Sequence, residues 1–570
     1  MAWLISLLAI VPALVSAAAV NTTCVTEPSC RCLPSDSCWP SKSEWTAFNK
    51  TVGGRLIATV PIGSVCHNSA FGSYNAQKCD ELRSVWDYPA THIASSSDPM
   101  APFFANDSCD PFTAPSARCI IGTLVQYSVN ASSSSDYLAT IKFAQQNNIR
   151  LVIRNTGHDY YGKSSGTGAL ALWTHHLKDI SLVNYKQSYY SGKALKVGAG
   201  VQNSEAQTFA HNNGLIVVTG DGASVGLAGG YSQGGGHGPV ASKFGLAADQ
   251  VLEWEVITST GQHLVATPSQ NTDLYWALSG GGGGTYAAVL SMTIRAYPDM
   301  PSSAANLTIT NQGISDDAFY AAVQTFLTTL PSIVDSGATV VYLLAYGLFL
   351  VQPVNAPGVS KAQLQTLLNP TLSYLQKQNI PYDFHIDQFP TFLDSFNAYN
   401  PPPNVTEYNI GGRLIPRTLL ESQTSATSVV NAYRFINEAG AVISGVNVNV
   451  SNGTKVPNSV NPVWRSSITS NVIGVPYDPL NFQNNIYAQN NVTDILIPKL
   501  EALSPIQGAY LNEANMHQPN FQSVFYGNNY PALKSIKNKY DPSSTFYGLT
   551  AVGSDDWTVD SVTGRLCPVS

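Results

Sequence analysis

The sequence predicts an α+β protein of two interlocked domains, and three observations lead there. The chain has 570 residues, room for about three or four domains of roughly 150 residues, although large mixed enzymes often fold as two. From 112 to 297, helix-type and strand-type patterns alternate under frequent glycine. From 301 to 505 glycine thins out, and longer helical stretches alternate with strand-like runs, the mark of a separate α+β domain. Charged residues make up 11% of the chain, against about 25% in ordinary domains, yet 44% are hydrophobic and 10% aromatic. The chain is therefore globular. A net charge of −7, a pI near 5.8 and the lack of any Lys/Arg cluster exclude nucleic acid and other polyanions as partners.

Each segment follows in order. Residues 1–19 form an apolar stretch, without a basic start, ending in the small residues Ser16 to Ala19, and read as a secretory signal. Residues 20–111 are a cysteine-rich segment. Eight of the nine cysteines precede residue 120 and only Cys567 lies beyond, so disulfides are expected, with Cys567 able to tie the tail 551–570 back. Cys30-x-Cys32 lacks the partners of a zinc site, and no metal is expected. Nine N-x-S/T sequons, among them Asn49, Asn106 and Asn404, suit a secreted glycoprotein.

Within 112–300, Ser135 can cap a helix carrying Tyr137, Ile141 and Ala144 on one face, and Ile149 to Ile153 read as a buried strand. Leu252, Trp254 and Val256 alternate with Glu253 and Glu255 as a half-buried strand, which turns at Ser259-Thr260-Gly261 into His263 to Ala266. In 301–504, Ala318 to Leu330 and Ala362 to Gln378 read as helices. Thr339 to Val351 is too short and too rich in tyrosine and β-branched residues for a membrane span, and reads as one buried strand. Pro401 to Pro403 is a loop.

Two glycine-rich segments carry the chemistry: R-N-T-G-H-D-Y-Y-G, from Arg154 to Gly162, and G-D-G-A-S-V-G-L-A-G-G-Y-S-Q-G-G-G-H-G, from Gly220 to Gly238. Glycine frees φ and lets backbone N–H groups approach an anion, at about 0.5–1 kcal/mol of unfolded-state entropy each. A phosphate-bearing cofactor is the expected guest. The glycines run too long for a Rossmann fingerprint, and no Walker motif is present. A third run, Gly280 to Gly284, reads as a turn before the strand Ala287 to Ile294.

These two segments, with F-G-L-A-A-D-Q-V (Phe244 to Val251), Y-L-N-E-A-N (Tyr510 to Asn515), F-Y-G-N-N-Y (Phe525 to Tyr530) and K-Y-D-P (Lys539 to Pro542), resemble the berberine bridge enzyme-like branch of the vanillyl-alcohol oxidase / p-cresol methylhydroxylase superfamily, in particular its secreted fungal alcohol and carbohydrate oxidase-like members. The resemblance spans about residues 110–300 and 505–550. It implies a two-subdomain PCMH-type FAD-binding domain at 112–300, an antiparallel-sheet substrate domain at 301–504 and a berberine-like return at 505–550.

The resemblance also implies FAD, with His158 joined to its 8α-methyl. Arg154, Asn155, Thr156, Gly157 and Asp159 would hold the cofactor from the first loop. Gly222, Ala223, Ser224 and Val225, then Gly229, Gly230, Gly234, Gly235 and Gly238, would hold it from the second, with Val251, Tyr526 and Asn528 further out. Where many members carry a second, cysteinyl link in C-P-T-V-G, this chain has Gly222-Ala223-Ser224-Val225-Gly226, so one covalent bond is expected. Val225 falls where a small residue often admits O2, which suggests an oxidase.

Hydride removal from a carbinol carbon needs a base for the hydroxyl proton. In many relatives two tyrosines serve; here Glu513 and His237 hold those places, and Tyr160 completes the expected catalytic group. The plain alternatives are a salt bridge for Glu513, a flavin-packing residue for His237 and a hydrogen-bonded loop histidine for His158. The expected protein is a secreted oxidase passing electrons from an alcohol, sugar or phenolic substrate through FAD to O2. A secondary-metabolite tailoring enzyme and a flavin-retaining binding protein are the alternatives.

Overall fold

The computed structural model describes residues 30–569 other than 402, 403, 406, 454, 455, 506 and 507. The expected leader at 1–19, Cys24 and the sequon at Asn21 lie outside the described residues. The chain is α+β, built on three main sheets. A four-stranded sheet has the order β1 (Leu56–Ala58), β2 (Tyr127–Asn130), β4 (Leu170–Trp173), β3 (Leu151–Arg154), with β2, β4 and β3 parallel. Helix α1 (Ser134–Gln146) joins β2 to β3 as such a crossover requires. Its N-cap is Ser133, two residues before the expected Ser135, because a run of serines offers several equivalent capping positions; Tyr137, Ile141 and Ala144 are buried as expected.

A five-stranded antiparallel sheet follows, in the order β5 (Ile180–Gln187), β6 (Tyr190–Gly198), β9 (Ala288–Arg295), β7 (Val251–Ile257), β8 (His263–Ala266). In β7, Leu252, Trp254 and Val256 are buried while Glu253 and Glu255 face outward, and β7 and β8 form the expected hairpin. Trp254 satisfies its buried N–H on Ser279 Oγ at 3.0 Å.

The third sheet is antiparallel and seven-stranded: β13 (Tyr382–Phe389), β10 (Ser302–Thr310), β12 (Leu348–Pro357), β11 (Thr339–Ala345), β15 (Val442–Asn447), β16 (Ser467–Pro476), β14 (Tyr408–Pro416). One face is covered by α2 (Asp316–Asp335), α3 (Lys361–Lys377) and α4 (Gln423–Glu438), which bury Phe319, Phe326, Leu364 and Tyr433 against Val340, Tyr342, Leu344, Ile443 and Ile473. The single strand expected over Thr339–Val351 is a hairpin, β11 and β12. The chain reverses at Tyr346-Gly347, where Gly347 sits at φ +74°.

Residues 509–552 return to the five-stranded sheet, placing Ala509, Leu511, Ala514, Phe525 and Leu533 in one core with Leu195, Trp254 and Met292. Four disulfides staple the described residues: Cys32–Cys38, Cys66–Cys79, Cys109–Cys119 and the end-to-end Cys30–Cys567. Among the described residues no helix is long and apolar enough to cross a membrane.

Candidate active site

The first glycine segment leaves β3 at Arg154. The Arg154 guanidinium turns into the protein, where Nη2 donates to the carbonyls of His92, Ser95 and Asp98 at 3.1, 3.0 and 2.7 Å. Gly157 follows at φ +86°, and a Cβ there would stand 2.9 Å from that guanidinium, so only glycine allows the bend. The bend delivers His158. Asp159 fixes the next turn by accepting the N–H groups of Tyr161, Lys163 and Ser164 at 3.1, 2.7 and 3.0 Å. His158 Nε2 lies 2.8 Å from Ser224 Oγ of the second glycine segment. Burial, helped by His92 and Arg154, pushes its pKa down to about 4, which favours the neutral imidazole.

The second segment packs by contacts that side chains would forbid. A Cβ at Gly226 would lie 2.4 Å from Asn155 Oδ1, and one at Gly238 1.9 Å from the Thr219 carbonyl oxygen. The third run does more than turn. The N–H groups of Gly280 and Gly282 donate to the Gln233 carbonyl at 3.0 and 2.9 Å, and Gly283 rests against Gly230 so closely that a Cβ would be 2.8 Å from its Cα. Gly283 and Gly284 consequently join the wall of a cavity of about 490 Å³ that lies between the glycine loops and the seven-stranded sheet.

Glu513 enters this cavity through a backbone contact. The segment Tyr510–Ala514 crosses β14 at Gly412, where a Cβ would meet the Glu513 carbonyl oxygen at 2.0 Å. On the other side the Ala514 N–H donates to Tyr161 Oη at 2.7 Å. So held, Glu513 Oε2 lies 3.0 Å from His237 Nε2, and the His237 ring stands edge-on to Tyr510 at 5.1 Å. Burial pulls the His237 pKa down, but the Glu513 charge and hydrogen bond, with Asp221, outweigh it and hold the imidazole above the ordinary histidine value. Asp221 shares the cavity; burial first, then the Glu513 charge, lifts its carboxyl to about 6 against the opposing His237 and Asn400. Tyr161 and Tyr231 are raised well above ordinary phenols by burial.

Of the residues expected to form the site, Asn155, Thr156, Gly157, His158, Asp159, Tyr160, Gly222, Val225, Gly229, Gly230, His237 and Glu513 line this cavity. Arg154, Ala223, Ser224, Gly234, Gly235, Gly238, Val251, Tyr526 and Asn528 do not reach its wall. Arg154 is spent on the His92–Asp98 carbonyls, Ser224 stands behind His158, and Tyr526 is buried with its hydroxyl on the Thr550 carbonyl at 2.9 Å. Val251 opens β7 in the core, and Asn528 is on the surface. Gly234 and Gly238 serve close packing instead, and Gly235 takes a φ of +121°. Asp221, Tyr231 and Gln233 are added by the fold; the signal for Asp221 was that it is the one acid within Gly220–Gly238.

The wall fits a polar cofactor. Asn155 Oδ1, Asp221 Oδ1, Tyr231 Oη, Gln233 Oε1 and His237 Nδ1 are buried without a protein partner, and all five residues line the cavity. Such atoms are costly to bury unless something meets them. A Cβ at Gly229 or Gly284 would come no nearer than 3.8 Å to anything, so bare backbone faces open space there.

Comparison with known proteins agrees. A family described as FAD binding domain matches residues 125–267, and one described as Berberine and berberine like matches 509–552. The FAD-linked oxidoreductase sor8 of Hypocrea jecorina is 45% identical over 526 residues, covering 92% of this chain and 90% of its own. The bifunctional decalin synthase calF of Penicillium decumbens is 40% identical over 534 residues, 92% of each chain. The crystal structure of the VAO-type flavoprotein MtVAO615 from Myceliophthora thermophila superposes with a TM-score of 0.92 at 41% identity, over 95% of this chain and all of that one.

Proposed function

The chain belongs to the berberine-like, VAO-type family of FAD-linked oxidoreductases, and from that premise we propose that it is a secreted oxidase that removes a hydride from a carbinol carbon, with O2 as the final acceptor. The bound FAD supplies the hydride acceptor. Everything else in the step falls to the protein's own side chains. The observation that carries the reading is the His237–Glu513 pair, 3.0 Å apart in the same cavity as His158.

Glu513 takes the hydroxyl proton. His237, favoured in its protonated form by Glu513 and Asp221, hydrogen-bonds the Glu513 carboxylate and directs the oxygen that receives the proton. His158, neutral and held by Ser224, is the residue that carries the cofactor covalently. No cysteine lies between 120 and 566 to make a second link. The leader at 1–19, the disulfides and the sequons support an extracellular, glycosylated product.

Two measurements test this. Acid-precipitated wild-type protein is expected to stay yellow, and His158→Ala to release its flavin; a colourless wild-type pellet removes the covalent bond. Glu513→Gln is expected to slow anaerobic flavin reduction by about 10²–10⁴-fold at unchanged FAD content, the usual worth of a general base. An unaltered rate takes Glu513 out of the mechanism. A second reading, a tailoring enzyme of secondary metabolism, is favoured by the relative named a bifunctional decalin synthase. Substrate consumption without matching H2O2 would favour it.

A further inference from the structure

We infer that the substrate is an uncharged alcohol with an aliphatic or alicyclic body, and neither a carbohydrate nor a carboxylate. This rests on the oxidase reading above and specifies what its cavity accepts. The face of the seven-stranded sheet turned away from the helices forms one wall of the cavity, where Val341 of β11, Ser444 and Val446 of β15, Val472 of β16 and Ile410 of β14 appear together. These four strands are neighbours in the sheet. Val341 pairs directly with Val446, and Ser444 with Val472, so their side chains share one continuous patch. Their sequence neighbours Val340, Tyr342, Ile443 and Ile473 point the other way, into the helix-covered core. Val341 and Val446 also border a second apolar cluster with Leu414, Trp464 and Tyr510, and with Val472 and Ile410 they carry its apolar character onto the cavity wall.

Ser444 is the single hydroxyl on it. A sugar carries a hydroxyl on nearly every ring carbon, and a site that reads one meets those groups with convergent donors and acceptors. Four branched aliphatic side chains cannot. Polar groups line the rest of the cavity, Glu513, His237, Asp221 and Tyr231 among them, and the Glu513 backbone crosses the sheet beside the patch, at Gly412, the cross-strand partner of Val472. That arrangement suits a molecule with one reacting hydroxyl and an apolar remainder lying on the sheet.

The charge distribution excludes an anion. Glu513 and Asp221 both line the cavity, with the His237 imidazole bonded to Glu513 at 3.0 Å. Among the cavity-lining residues Lys163 is the one lysine or arginine, and its ammonium stands over the Tyr161 ring, 5.2 Å from the centroid. A carboxylate brought in beside the reacting hydroxyl would meet two acids.

The test titrates the flavin-loaded protein anaerobically with 4-tert-butylcyclohexanol, its ketone 4-tert-butylcyclohexanone, 4-hydroxycyclohexanecarboxylate and cellobiose, following the flavin spectrum. The alcohol and ketone are expected to perturb it at concentrations about tenfold or more below the hydroxy acid, and cellobiose to leave it unmoved. Val472→Asn, which keeps the backbone and the FAD site, is expected to weaken the ketone by about tenfold or more, the scale set by altered apolar contacts in a pocket. Cellobiose or the hydroxy acid binding as tightly as the ketone, a spectrum indifferent to the ketone, or a Val472→Asn variant that binds it as wild type does, each overturns the inference. The ketone cannot be oxidised, so its binding reads the cavity alone. Ketone binding without reduction by any alcohol would count against the oxidase and leave the substrate class standing; turnover of cellobiose would do the reverse.

Discussion

Asp221 lies in the cavity with Oδ1 unpartnered and its carboxyl lifted to about 6 from an ordinary 3.8, chiefly by burial. The groups that face it are His237, Glu513 and Asn400, of which only Glu513 pushes the same way. A raised acid is a cost that appears with rising pH. Below about pH 4 folded and unfolded chains both hold the proton; between about 4 and 6 the unfolded chain loses it first, so stability falls through that window and stays lower above it. Asp221→Asn should therefore raise the melting temperature at pH 7.5 and leave it unchanged near pH 3.5, read by thermal unfolding across pH. A gain of equal size at both would contradict this origin. His158, His237 and Glu513 were legible as candidates through the motifs that resemble the family, which assign a role to each of those positions. Asp221 was not, since an acid in a glycine loop is ordinarily solvated, and its pKa depends on partners that only folding brings near. Arg154, which the resemblance places among the cofactor's holders, has its guanidinium on three backbone carbonyls.

At the scale of elements, the decisive contact is the crossing of β14 by the segment that bears Glu513. Gly412→Ala would place a methyl 2.0 Å from the Glu513 carbonyl oxygen and 2.9 Å from that of Asn471, and neither backbone atom can move without shifting a strand. The expected loss is about 1–3 kcal/mol of stability and, because Glu513 is displaced, about 10²-fold in the rate of flavin reduction; rapid-scanning spectroscopy and denaturant midpoints measure the two. A variant as fast and as stable as wild type would show that the crossing does not position the carboxylate. Local patterns announced some of the elements, β3, β7, β8, β9 and helices α1 to α3, as in the alternation of β7. They failed at the β11–β12 hairpin, where β-branched and aromatic residues continue on both sides of the turn and Gly347 is its one glycine. The pairing order of seven strands is not written in any local pattern; it depends on which faces the helices cover.

For the whole molecule, the telling feature is the clasp formed by Cys30–Cys567 with the Asp36–Arg565 ion pair, joined by two hydrogen bonds of 2.6 and 2.8 Å. Arg31 adds a bond to the Ser544 carbonyl at 2.9 Å and lies over Trp557 at 4.7 Å. Clustered cysteines made this closure readable as one option among many, because connectivity follows from proximity and not from spacing. Cys30→Ser combined with Cys567→Ser should lower stability by roughly 2–4 kcal/mol, seen as an earlier denaturant midpoint with FAD still bound at low denaturant. A midpoint equal to wild type would leave the ion pair as the sufficient fastener. Geometrically the clasp makes a ring of the polypeptide between residues 30 and 567. A ring has no privileged starting point: it could be cut at the exposed tip of Tyr346-Gly347 and rejoined by peptide where the sulfurs now meet, giving a permuted molecule whose cavity walls never learn where translation began.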